Sequence, residues 1–136
     1  MKRLLIILSL FMLASVRLVA QEEEDNGNEK IRDKMSQFIQ ERLGLSKSEA
    51  EKFSPVFLRY FREWRTTLKT TKDQPVIIRQ QKIVDLRLRY RDEFKQIIGE
   101  KKSNDVFDYQ QDFIKRIRML RQERMERNGD RPRKFR

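Results

Sequence analysis

Apolar side chains recur at spacings of three and four along almost the whole chain beyond residue 30, and glycine and proline interrupt that rhythm at only a few places. A period of this kind puts the apolar positions on one face of an α-helix and leaves no strand signal, so the fold expected is all-α. Four segments follow. The first runs from about Asn28 to Leu43, with Ile31, Met35, Phe38, Ile39 and Leu43 on its face, and stops at Gly44. The second opens at Ser46, where Ser46 and Glu49 have the spacing of a capping box and Leu45 stands as the staple residue.

The second helix carries most of the aromatic mass, in a stripe of Ala50, Phe53, Phe57, Tyr60, Phe61, Trp64 and Leu68. Pro55 lies inside it and predicts a kink, with a break into two helices as the rival; the apolar phase is kept across Pro55, which favours the kink. Residues Thr70 to Gln74 read as a turn, and Pro75 suits the first position of a third helix. Its face is Ile83, Leu86, Tyr90, Phe94 and Ile97, and Gly99 ends it. A fourth helix is expected from around Ser103 as its cap, carrying Val106, Phe107, Phe113, Ile114, Ile117 and Leu120 until Asn128-Gly129. The expected core takes Phe53, Phe57, Tyr60, Trp64, Ile83, Leu86, Tyr90, Phe94, Phe113, Ile117 and Leu120. Long helices joined by short turns give antiparallel hairpins in an elongated arrangement, and a second copy, forming a homodimer, is expected to finish the burial.

The N-terminus reads Met1-Lys2-Arg3, an apolar run from Leu4 to Val16, then Ala20, the layout of a secretory signal peptide cleaved near Ala20. The run is short for a span, which needs about 20 apolar residues, and an uncleaved anchor is the alternative. The expected layout is thus a signal peptide at 1–20, an acidic disordered leader at 21–29, a helical domain at 30–127 and a disordered basic tail at 128–136.

The chain has no cysteine and no histidine. That removes lipid attachment after the apolar run, disulfides, thiol chemistry, imidazole metal sites and the usual nucleophile–base pairs. Asp108 and Asp112, at helical spacing, read as a solvated face rather than an acid–base couple, and the leader Glu22 to Asp25 lacks the loop of a calcium site. No catalytic residue, metal or cofactor is expected, and the function expected is binding.

The formal net charge of +11 points to an anionic partner. Export argues against nucleic acid as that partner. Arginine outnumbers lysine on the later helices, which suits carboxylates, phosphates and aromatic faces. Arg59, Arg62, Arg65, Arg87, Arg91, Arg116 and Arg118 are the candidate partner-binding residues, against the alternative of a merely solvated face. Asp85 with Arg89, Asp112 with Arg116 and Glu123 with Arg127 are expected to pair along their own helices.

The passage from Phe38 to Phe57 resembles the small periplasmic proteins grouped with Spy and CpxP. Leu45, Ser46 and Glu49 match that family's Leu-Thr-x-x-Gln motif, with Ser for Thr and Glu for Gln. Phe53, Pro55, Val56 and Phe57 look like its Bacteroidetes branch, often labelled "sensor of ECF-type sigma factor" or "periplasmic heavy-metal sensor", although Ser54 stands where an aromatic is usual. The stretch Ile98 to Ser103 does not supply the second motif copy, while the basic ending from Phe113 to Arg127 is similar. The resemblance implies a periplasmic envelope-stress protein, a dimeric helical cradle that holds unfolded or acidic clients without ATP. A regulator that binds a membrane sensor or anti-sigma factor, and attachment to anionic lipid or envelope polymer, are the alternatives. The heavy-metal label finds no histidine here to carry it.

Overall fold

The computed structural model describes residues 26–129, all of them helix or the turns between helices. The expected signal peptide, the start of the expected leader and the tail beyond Gly129 lie outside the described residues. The described residues form four helices: α1 (26–43), α2 (Lys47–Thr70), α3 (Val76–Ile98) and α4 (Glu100–Gly129), each antiparallel to the one before. By contact the chain divides at Lys34 and Met35 into two units. In the first, Arg32 pairs locally with Glu29 and Asp33. The helix already includes residues 26–29, which the sequence reading had assigned to a disordered leader; Glu29 near the N-terminus suits the positive end of the helix dipole.

Within the second unit, α1 ends where Gly44 takes φ 58°. The Leu45 N–H then reaches the Gln40 carbonyl and the Gly44 N–H the Glu41 carbonyl, a Schellman turn that only a residue without Cβ closes cheaply. The capping box follows at once: the Ser46 hydroxyl accepts from the Glu49 N–H at 3.1 Å, and the Glu49 carboxylate accepts from the Ser46 N–H at 3.0 Å. α2 runs unbroken through Pro55.

Two helix starts differ from the sequence reading. Pro75 is the cap of α3 rather than its first helical residue, because its ψ of 142° is extended and its carbonyl takes the Ile78 and Arg79 N–H groups. α4 begins at Glu100, three residues before the expected Ser103. Gly99, at φ 82°, reverses the chain by itself and its carbonyl accepts from Ser103, so Ser103 lies inside the helix, buried, with its hydroxyl on the Glu100 carbonyl.

The Glu49 carboxylate also accepts from the Lys102 ammonium at 3.2 Å, which ties the start of α2 to the start of α4. The Ser46 N–H, and then Lys102, hold its pKa below the ordinary value of 4.5. A depressed carboxylate contributes stability above its unfolded pKa and loses it as pH falls through the folded one. Stability measured from neutral pH down through 4.5 and below should therefore fall less steeply in Glu49→Gln than in the parent, and equal slopes would deny Glu49 this role.

Phe53, Phe57, Tyr60, Leu86, Tyr90, Phe94, Val106 and Phe113 are buried, together with Met35, Ile39 and Leu43 of α1. Each fully buried side chain of this size contributes about 1.5–3 kcal/mol relative to exposure. Trp64, Ile83 and Ile117 are only half-buried. Leu120 is 50 % exposed and is not core: it keeps the phase of the Val106–Phe113–Ile117 stripe but lies beyond the packed region.

Candidate binding surface

The buried residues of the second unit fall at one end of it. They come from the last turns of α1, α2 up to Phe61, α3 from Leu86 onward and α4 up to Phe113; past that point, among the described residues, only Thr71, in the turn, is buried. In the same half the charges balance: Lys47 and Lys52 stand with Glu49 and Glu51, Arg91 and Lys95 with Asp92 and Glu93. Lys101 and Lys102 meet Glu100, Asp105, Asp108 and Asp112. Ion pairs fasten this half together, from Lys102 to Glu49 and from Glu100 to Arg91 and Lys95.

The other half is different in both respects. Residues 114–129 hold six cations against two acids, residues 76–85 hold Arg79 and Lys82 against Asp85, and 62–73 hold four cations against Glu63 and Asp73. The large exposed apolar side chains are Val76, Ile77, Ile78, Val84, Leu88, Met119, Leu120 and Met125, and nearly all of them lie here. α4 has 30 residues against 23 in α3, so about two turns of α4 run past the start of α3. Basic charge and unburied apolar surface therefore coincide.

The candidate arginines divide between the halves. Arg59 pairs with Glu93 and stacks on Tyr90, while Glu63 takes both Arg89 and the Tyr90 hydroxyl. Arg91 donates to Asn104 at 2.6 Å and meets Glu100. Arg87 turns inward: its guanidinium lies over the Phe107 ring, Nη2 reaches Gln110 Oε1 at 3.4 Å, and Nε is buried without a partner. These three serve the packing of the protein itself. Arg116 stacks on Phe38, as does Arg42. Arg62, Arg65 and Arg118 stand exposed. None of the pairs expected along single helices is a salt bridge: Arg89 prefers Glu63 across the hairpin, Arg116 takes the Phe38 ring, and Arg127 donates to the Glu123 carbonyl of the backbone.

The sequence reading missed Gln110, wholly buried among aromatic rings, and the exposed apolar residues of α3. A signal for the second existed, since Ile77, Val84 and Leu88 repeat at seven and four off the Ile83–Leu86–Tyr90 face. Among the described residues no group of acids could hold a metal ion, and no helix is long and apolar enough to cross a membrane. No family model, no curated protein and no solved structure matches the chain.

Proposed function

We propose that the protein is an exported, periplasmic binding protein that holds unfolded or acidic polypeptides on the basic, apolar half of its helical unit, without ATP. The observation that carries this reading is the coincidence of excess positive charge and exposed aliphatic side chains in one half, beside a second half that is packed and charge-balanced. The cations draw acidic chains over a Debye length of about 8 Å at physiological salt, and the aliphatic side chains take up the apolar parts of whatever arrives. Methionines 119 and 125 add flexible, polarisable contacts that fit unlike partners. The rings of Phe53, Phe57, Tyr60, Tyr90 and Phe94, being buried, take no part. The resemblance to the Spy and CpxP group points the same way.

The test is suppression of aggregation of two unrelated unfolding proteins. Suppression should weaken between low and moderate salt, and Arg121→Glu with Arg124→Glu should raise the amount needed by about five-fold or more, since two charges change sign at an exposed site. Lys101→Glu with Lys47→Glu, in the balanced half, should leave it within about two-fold. Equal losses from both pairs, or no suppression by the parent protein, would refute the holding surface.

A further inference from the structure

Two strips of unlike chemistry run side by side along the outer flank of the α3–α4 hairpin. On α3, Arg87 and Arg91 reach across to Gln110 and Asn104 of α4, while Leu86, Tyr90 and Phe94 face the core. Val84 and Leu88 lie one helical step from those arginines on the side away from the core, and each is 51 % exposed. Ile77 continues the line by two turns. On α4, Phe107 and Asn104 face α3 and Val106 and Phe113 face the core, which leaves Gln111, Lys115 and Arg118 on the flank that adjoins the Val84 line. Stepping outward by equal numbers of residues from the Arg87–Gln110 level places Lys115 and Arg118 abreast of the stretch between Ile77 and Val84. Neither cation has an ion pair among the described residues, and with Gln111, Asp112 and Ile114 they surround an open cleft of about 530 Å³. One rail is therefore aliphatic and uncharged, and its neighbour sets the two cations Lys115 and Arg118 against the single carboxylate of Asp112.

We infer that this flank is a docking site for an acidic amphipathic helix of another protein, its apolar face on Ile77, Val84 and Leu88 and its carboxylates on Lys115 and Arg118. The inference rests on the holding function proposed above and gives its surface a preferred partner. Spacings of seven and four on the α3 rail are those at which an incoming helix presents one face, and helices packed about 8–10 Å apart leave its flanking glutamates within reach of α4. Charge selects the occupant: a second copy brings a surface of the same sign, whereas an acidic helix is complementary.

The probe is a synthetic peptide with leucines on one helical face and glutamates on the other, against its Glu→Gln analogue, read by fluorescence anisotropy and circular dichroism with protein purified from cells. The acidic peptide should bind and gain helix. Val84→Ser with Leu88→Ser, and separately Lys115→Glu with Arg118→Glu, should each weaken binding by about ten-fold while the protein's own helix signal is kept. Lys101→Glu should change nothing. The inference is overturned if the Gln analogue binds as well, if neither rail pair matters, if the serine pair changes only self-association in sedimentation, or if the rails capture phosphatidylglycerol vesicles but not the peptide. Aggregation suppression that survives without peptide binding would leave the holding function standing and remove the site. Peptide binding without suppression of any unfolding protein would do the reverse.

Discussion

Phe94→Ala should remove a large part of the stability of the helical unit, about 3–5 kcal/mol of a total that for a domain of this size is about 5–15 kcal/mol. Phe94 is wholly buried and is the meeting point of three helices: its ring lies 5.0 Å from Phe53, 6.2 Å from Tyr60, 6.3 Å from Tyr90 and 6.1 Å from Phe107. Truncation loses the transfer free energy of the ring and leaves a cavity whose walls are other rings, each held by its own neighbours and slow to collapse inward. At about 4–8 °C per kcal/mol the melting temperature should fall by at least about 12 °C. Leu120→Ala is the matched control, since the same stripe carries Leu120 out of the packed half to 50 % exposure, and its loss should be under about 1 kcal/mol. Thermal unfolding followed by circular dichroism separates the two; similar shifts would mean that the packed half extends to Leu120.

That contrast marks where the sequence stops being legible. Helix ends written in local chemistry could be read directly, because Gly44 and the Ser46–Glu49 box act within a few residues and need no partner. The start of α4 could not: Ser103 has the side chain of a cap, but Gly99 turns the chain sooner, and only the backbone shows it. Periodicity identified which face of α4 is apolar but not how far along it a neighbour extends, so Leu120 and Phe113 look alike in the sequence and differ in the fold. The charged residues were the least legible. Asp85 is well placed for Arg89 on the same helix, yet Glu63 on the facing helix takes that arginine, and which acid faces which cation is fixed by hairpin register. Arg87, one of seven arginines chosen as candidates for a partner, is spent on the protein's own interior.

The interior placement of Arg87 leads to a change of sign between single and combined substitutions. Tyr60 donates its hydroxyl to Gln110 Oε1 at 2.6 Å, and Arg87 Nη2 meets the same oxygen, while Arg87 Nε and Gln110 Nε2 are buried donors with no acceptor. Burial raises the Tyr60 pKa, so the phenol remains a donor over the ordinary pH range. Gln110→Leu alone removes the amide oxygen on which both the Tyr60 hydroxyl and the Arg87 guanidinium converge; it should cost about 1–3 kcal/mol. Tyr60→Phe, Arg87→Met and Gln110→Leu together replace the layer with apolar side chains of similar length among rings already there. The two unmet donors disappear with it, and the triple variant should be more stable than the parent by about 1–3 kcal/mol. Urea denaturation of the parent, the single variant and the triple variant decides the matter. A triple variant less stable than the parent would mean that the buried donors already have an acceptor, such as an ordered water.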